Sequence, residues 1–111
     1  MKLNGLEIHV SPYTSESINN EMVMFNEERK LIIVLNHTAM LVWKEITESY
    51  LRNSNISTND IAYTFRKTYN IAESDFDIVC SDIDETINMF FQSSLLKLVD
   101  PRGISDLASY C

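Results

Sequence analysis

Glycine is scarce in this chain: Gly5 and Gly103 are the only two in 111 residues. A loop that cradles phosphate needs several close glycines so that backbone N–H groups can approach the anion, so no P-loop or dinucleotide-binding turn can be built. Cysteine is equally sparse. Cys80 falls in a helical pattern and Cys111 stands last, so neither a disulfide framework nor a metal knuckle is expected, and a reducing compartment fits. Basic charge is also short, nine Lys and Arg against sixteen Asp and Glu for a net charge of −7. Duplex-binding proteins draw most of their affinity from neutralising phosphates, so nucleic acid is not the expected partner. No apolar run approaches the roughly 20 residues that span a bilayer, and Met1-Lys2-Leu3-Asn4-Gly5 leads into none of signal-peptide length. The expectation is a cytoplasmic protein without membrane insertion.

What is present is a change of hydrophobic period. Leu6-Glu7-Ile8-His9-Val10 alternates as a strand does, and Glu21-Met22-Val23-Met24-Phe25-Asn26 is β-prone. The short polar stretch to Lys30 makes Leu31-Ile32-Ile33-Val34-Leu35 the returning arm of a hairpin. Five apolar residues in a row call for burial on both faces, or for one buried face and one awaiting a partner. From Asn36 the period is helical. Ala39, Leu41, Val42, Trp43, Ile46, Tyr50 and Leu51 share a stripe, with Thr38 read as the helix cap and Asn36 as a tie between strand and helix. Ser57 to Asp60 opens a second helix carrying Ile61, Ala62, Phe65 and Tyr69, closed by Asn70. A third starts near Ala72 to Asp75 and bears Phe76, Val79, Cys80, Ile83, Ile87, Phe90 and Phe91. Stepping at 100° per residue sets Ile78, Asp82, Glu85 and Met89 on a second stripe away from that core face. The fold class expected is α+β and winged-helix-like, a three-stranded antiparallel sheet followed by three helices, with one domain over 1–99 and a C-terminal tail over 100–111 beginning in the turn Asp100-Pro101-Arg102-Gly103.

Catalysis needs converging groups, and the chain offers two histidines, His9 and His37, with no ligand or base at helical spacing from either. Cys80 has Asp77, Asp82 and Asp84 near it in sequence, which raises a thiol pKa and makes a buried core cysteine the better reading. Glu73, Asp75, Asp77, Asp82, Asp84 and Glu85 lack the glycine and the alternate-oxygen spacing of a calcium loop, so they read as a solvated helix face. Neither an enzyme nor a metal or cofactor site is expected. Binding remains.

Leu35-Asn36-His37-Thr38-Ala39-Met40-Leu41-Val42-Trp43 resembles the Leu-Asn-x-Thr-Ala-x-x-Ile-Trp signature of the PqqD-like family, the recognition elements of ribosomal peptide (RiPP) modification pathways. Ser57, Asp60, Ile61, Ala62, Phe65 and Tyr69 are similar to its Thr-x-x-Glu-Ile-Ala-x-x-Leu-x-x-x-Tyr stretch. Asp82, Ile83, Ile87, Phe90, Leu95 and Leu96 resemble its Asp-Val-x-x-x-Leu-x-x-Leu and the following Gly-Leu-Leu. The chain departs from the pattern at Ser94, where the family has glycine, and at Asn53-Ser54-Asn55, which replaces its loop glycine. The resemblance spans residues 6–98. It implies a domain that binds the leader segment of a precursor peptide as an added strand, between the third strand and the third helix, for a separate modifying enzyme or leader peptidase. An open edge supplies unpaired N–H and C=O groups to a guest backbone, and pockets beside it select side chains. On this reading Leu31, Ile32, Ile33, Val34 and Leu35 form the docking strand, with about half of their side chains turned to the core by the period of two. Ile78, Asp82, Glu85 and Met89 form the helix wall. Trp43, Leu41 and Ile46 belong to the core. The competing readings are a winged-helix DNA-binding regulator, which Arg66 and Lys67 on helix two would serve, and a structural subunit that pairs edges as a homodimer instead of acting as a monomer.

Overall fold

The computed structural model describes residues 1–99; the tail over 100–111, its turn and Cys111 lie outside the described residues. Six strands and three helices follow one another as β1 (Lys2–Leu3), β2 (Leu6–Val10), β3 (Tyr13–Ile18), β4 (Glu21–Asn26), β5 (Leu31–Leu35), α1 (His37–Leu51), α2 (Thr58–Tyr69), α3 (Phe76–Gln92) and β6 (Leu96–Leu98). The class is α+β, with two three-stranded antiparallel sheets ordered β1-β2-β6 and β3-β4-β5. The expected sheet of 6–10, 21–26 and 31–35 is therefore redistributed. Leu6–Val10 pairs with Lys2–Leu3 and with Leu96–Leu98, and the place beside β4 is taken by Tyr13–Ile18.

Two of these strands escape a hydrophobic-period reading for physical reasons. Tyr-Thr-Ser-Glu-Ser-Ile has no buried residue, so no alternation marks it; it holds its place through its ladder with β4. Leu96–Leu98 follows α3 so closely that its apolar residues read as the end of that helix. The separation is made by Ser94, which takes a left-handed φ of 59° and turns the chain out of the helix. Asn53 and Asn70 do the same after α1 and α2, with φ of 53° and 52°, and asparagine tolerates that region better than serine does.

The helix starts are set by side chains. Asn36, with extended backbone, accepts a hydrogen bond from the Ala39 N–H at 2.9 Å and is the cap of α1. Thr38, the expected cap, already lies inside the helix and cannot adopt the extended backbone that a cap requires. Ser57 and Asp60 bond each other's backbone N–H at 3.2 and 3.0 Å, a capping box that starts α2. A 3-10 turn, Glu73–Asp75, leads into α3 without a side-chain cap, and Asp77 in the first turn meets the positive end of the helix dipole.

The core lies between the helices and the inner faces of both sheets. Trp43 and Phe90 meet edge-to-face with centroids 4.9 Å apart, and Tyr13 closes on Trp43 at 5.4 Å. Met24, Leu35, Val42, Ile46 and Ile83 are buried around them. Each such aliphatic side chain contributes about 1.5–3 kcal/mol by leaving water. The buried Trp43 indole Nε1 has no hydrogen-bond partner among the described residues, so packing alone holds the ring.

Candidate peptide-binding groove

The β4–β5 hairpin fixes which side chains of β5 face outward. Its register pairs Met24 with Ile33 and Met22 with Leu35, while Val23 faces Val34 and Phe25 faces Ile32. With Met24 and Leu35 fully buried, the odd positions of β5 point to the core. Ile32 is 72% and Val34 57% exposed on the opposite face. Leu31, at the turn, is also exposed. Because β5 ends the strand order, one of its edges bonds β4 and the other has no strand partner. In an antiparallel ladder that leaves the N–H and C=O of alternate residues directed outward.

Beside this edge a hollow of about 430 Å³ opens between the end of β5, the start of α1 and the face of α3. Val34 and Asn36 stand on the strand side, Thr38 and Ala39 on α1, and Asp82, Glu85, Thr86 and Met89 on α3. Of the nine residues expected at the site, Val34, Asp82, Glu85 and Met89 are thus brought together. Leu35 turns to the core, Ile33 is half-buried against it, and Ile32 and Leu31 continue the strand beyond the hollow. Ile78 stands outside the hollow, 61% exposed one helical turn before Asp82.

Neither Asp82 nor Glu85 has a side-chain hydrogen bond or ion pair among the described residues, and no basic residue lines the hollow. The other carboxylates of the helical region behave differently. Asp84 accepts from the Thr58 hydroxyl at 2.5 Å, and Thr58 is in turn bonded to Asn4, which ties α3 to α2 and the first loop. Glu73 pairs with Arg66 at 3.8 Å.

A second hollow, of about 310 Å³, adjoins the first and was not foreseen. Leu41 of α1, Phe65 and Tyr69 of α2, and Val79 and Ile83 of α3 make it apolar, and it shares Thr38 and Asp82 with the hollow beside β5. Sequence periodicity assigns its lining to the core because a stripe that encloses space has the same period as one that fills it.

The groove walls are fastened at the far end of β5. Asn26, fully buried, donates from Nδ2 to the Ser93 carbonyl at 2.9 Å, and its Oδ1 accepts from the Glu28 and Arg29 N–H groups at 3.1 Å each. Arg29 reaches the Ser94 hydroxyl at 2.9 Å, and the Ser11 hydroxyl donates to the Ser94 carbonyl at 2.6 Å. The hairpin turn and the C-terminus of α3 are held by one polar knot.

Elsewhere the chemistry is quiet. Cys80 lies against Asn59, and burial, then the charges of Asp77 and Asp84, push its thiol up, away from the reactive thiolate. Among the described residues no cluster of three or more His, Cys, Asp or Glu is disposed to hold a metal, and no helix is long and apolar enough to cross a membrane. The chain matches no protein-family model, no curated protein and no solved structure.

Proposed function

We propose that this chain is a PqqD-like recognition domain of winged-helix-like architecture. It binds the leader region of a ribosomally made precursor peptide by strand addition to β5 and presents it to a separate modifying enzyme or leader peptidase. The observation that carries the reading is an apolar strand edge, open along Leu31 to Leu35, beside a 430 Å³ hollow walled by α3. A guest backbone satisfies the outward N–H and C=O groups of the edge, and its alternate side chains enter the hollow. The resemblance at Leu35 to Trp43 supplies the identity of the guest, and the dearth of converging catalytic groups supports binding without turnover.

Titration of the labelled chain with a synthetic leader from a precursor encoded beside it tests this. Amides of Leu31 to Leu35 and of the Asp82 to Met89 face should shift, and alternate β5 amides should gain protection from hydrogen exchange. Shifts confined to α2 would remove the groove from consideration. The same apolar edge also suits a second copy of the chain, and a concentration-dependent elution volume with self-protected β5 amides would favour that reading.

A further inference from the structure

The two adjoining hollows define what kind of segment the groove takes. We infer that the guest carries two recognition residues, a bulky apolar side chain seated among Leu41, Phe65, Tyr69 and Val79, and a Lys or Arg two positions away facing Asp82 and Glu85. This rests on strand addition to β5 and specifies the guest's chemistry.

Three observations support it. The first is charge: the hollow beside β5 holds two carboxylates that have no partner within the described residues, and no cation. A guest cation there gains attraction that a neutral or acidic residue does not. The second is polarity, because the adjoining hollow is walled by aliphatic and aromatic groups, and at about 310 Å³ it is at the small end of the range for ligand sites, suited to a single large side chain. The third is spacing. The α3 residues lining the apolar hollow, Val79, Asp82 and Ile83, are centred about four positions before those lining the other, Asp82 to Met89, which is roughly 6 Å along the helix at 1.5 Å per residue. Side chains two apart on one side of an extended strand are separated by about 6.6 Å. One strand side therefore serves both hollows, with Asp82 and Thr38 at their common boundary.

The probe is a set of acetylated, amidated ten-residue Thr/Ser/Val peptides with one Leu and one Lys, in both orders of chain direction, titrated into the isotope-labelled full chain. With Lys two positions from Leu, one order should bind about tenfold more tightly than the same peptide with Lys changed to Glu, and the gain should shrink at high salt. Moving Lys by one residue turns it to the other side of the strand and should abolish the gain. The Asp82→Asn/Glu85→Gln double variant should bind the Lys and Gln peptides equally. Val79→Phe, which fills the apolar hollow, should erase the preference for Leu over Ser; Trp43 fluorescence checks that the variant is folded.

The same gain with Lys at every position would overturn the inference, since it would reflect only the net charge of −7. So would equal binding of Lys and Glu peptides with β5 amides shifted, and that outcome would leave strand addition standing. If no peptide shifts β5 amides, both readings fall.

Discussion

The sheet β3-β4-β5 has two outer strands, and they are chemically opposite. β3 is Tyr-Thr-Ser-Glu-Ser-Ile, short, hydroxyl-rich and carrying an acid, with every residue after Tyr13 exposed. β5 is Leu-Ile-Ile-Val-Leu, with bare Ile32 and Val34. Across the central strand the contrast is row by row: Thr14, Phe25 and Ile32 lie in one row, and Glu16, Val23 and Val34 in the next. Polar and charged residues on an edge discourage unwanted pairing. One edge of this sheet is guarded in that way and the other is left adhesive, next to the hollow. An edge left open on one side only marks a place for a partner.

The contrast can be broken most strongly within β5 itself. Leu35→Ala should destabilise the fold by about 2–5 kcal/mol because it empties a fully buried position, whereas Val34→Ala, one residue earlier and outward, should change stability by under about 0.5 kcal/mol. Urea unfolding of the pair measures whether the strand is as two-faced as its register requires. Asn26→Ala should come next, at about 2 kcal/mol, since it strands the Ser93 carbonyl and the Glu28 and Arg29 N–H groups; the same unfolding experiment reads it, with a Ser15→Ala variant on β3 as the control. Val34→Glu gives β5 the residue that β3 carries in the same row. Stability should move by no more than about 0.5 kcal/mol, while leader-peptide affinity measured by calorimetry falls roughly tenfold through a charge placed in the interface. Undiminished affinity would return β5 to the status of an ordinary edge.

The smallest effect concerns pH. Lys97 donates a hydrogen bond to Glu28 at the hairpin turn, and that bond, followed by the lysine charge, holds the Glu28 carboxyl below its ordinary value of 4.5. A carboxyl whose pKa is depressed on folding adds stability that is full above the unfolded value and is lost as pH falls through the folded one. The urea midpoint should therefore drop on the acid side of 4.5, and Glu28→Gln should flatten that part of the profile. No change of slope in the variant would show that solvent screens the pair.

Much of this molecule was legible because period and punctuation agreed. The helices starting near Asn36, Ser57 and Ala72 lie where their stripes and polar boundaries put them, and the 21–35 hairpin follows from two β-prone runs around a polar turn. What escaped was held by long-range pairing. Nothing local marks Tyr13–Ile18 as a strand, because its ladder with β4 supplies the order. Leu96–Leu98 acquires its state from β2, far away in sequence, after Ser94 has turned the chain. In the candidate site, Asp82, Glu85 and Met89 follow from helical geometry and Val34 from the strand period. Ile78 shares their stripe and not their hollow, since a common face does not mean a common depth. The apolar hollow could not be read at all, as volume left between three helices depends on how they pack.

The knot at Asn26 gives the groove the mechanics of a clothes-peg. Its jaws are β5 and α3, and Asn26 and Ser93 are the spring, joining the two at the turn end of the strand. Fastened there, the jaws keep a set gape near Leu31 and depend on packing alone toward Val34 and Asp82. Tolerance for the bulk of a guest side chain therefore rises with distance from the spring, so sequence demands on a guest should be strictest at the Leu31 end and relax toward the hollows.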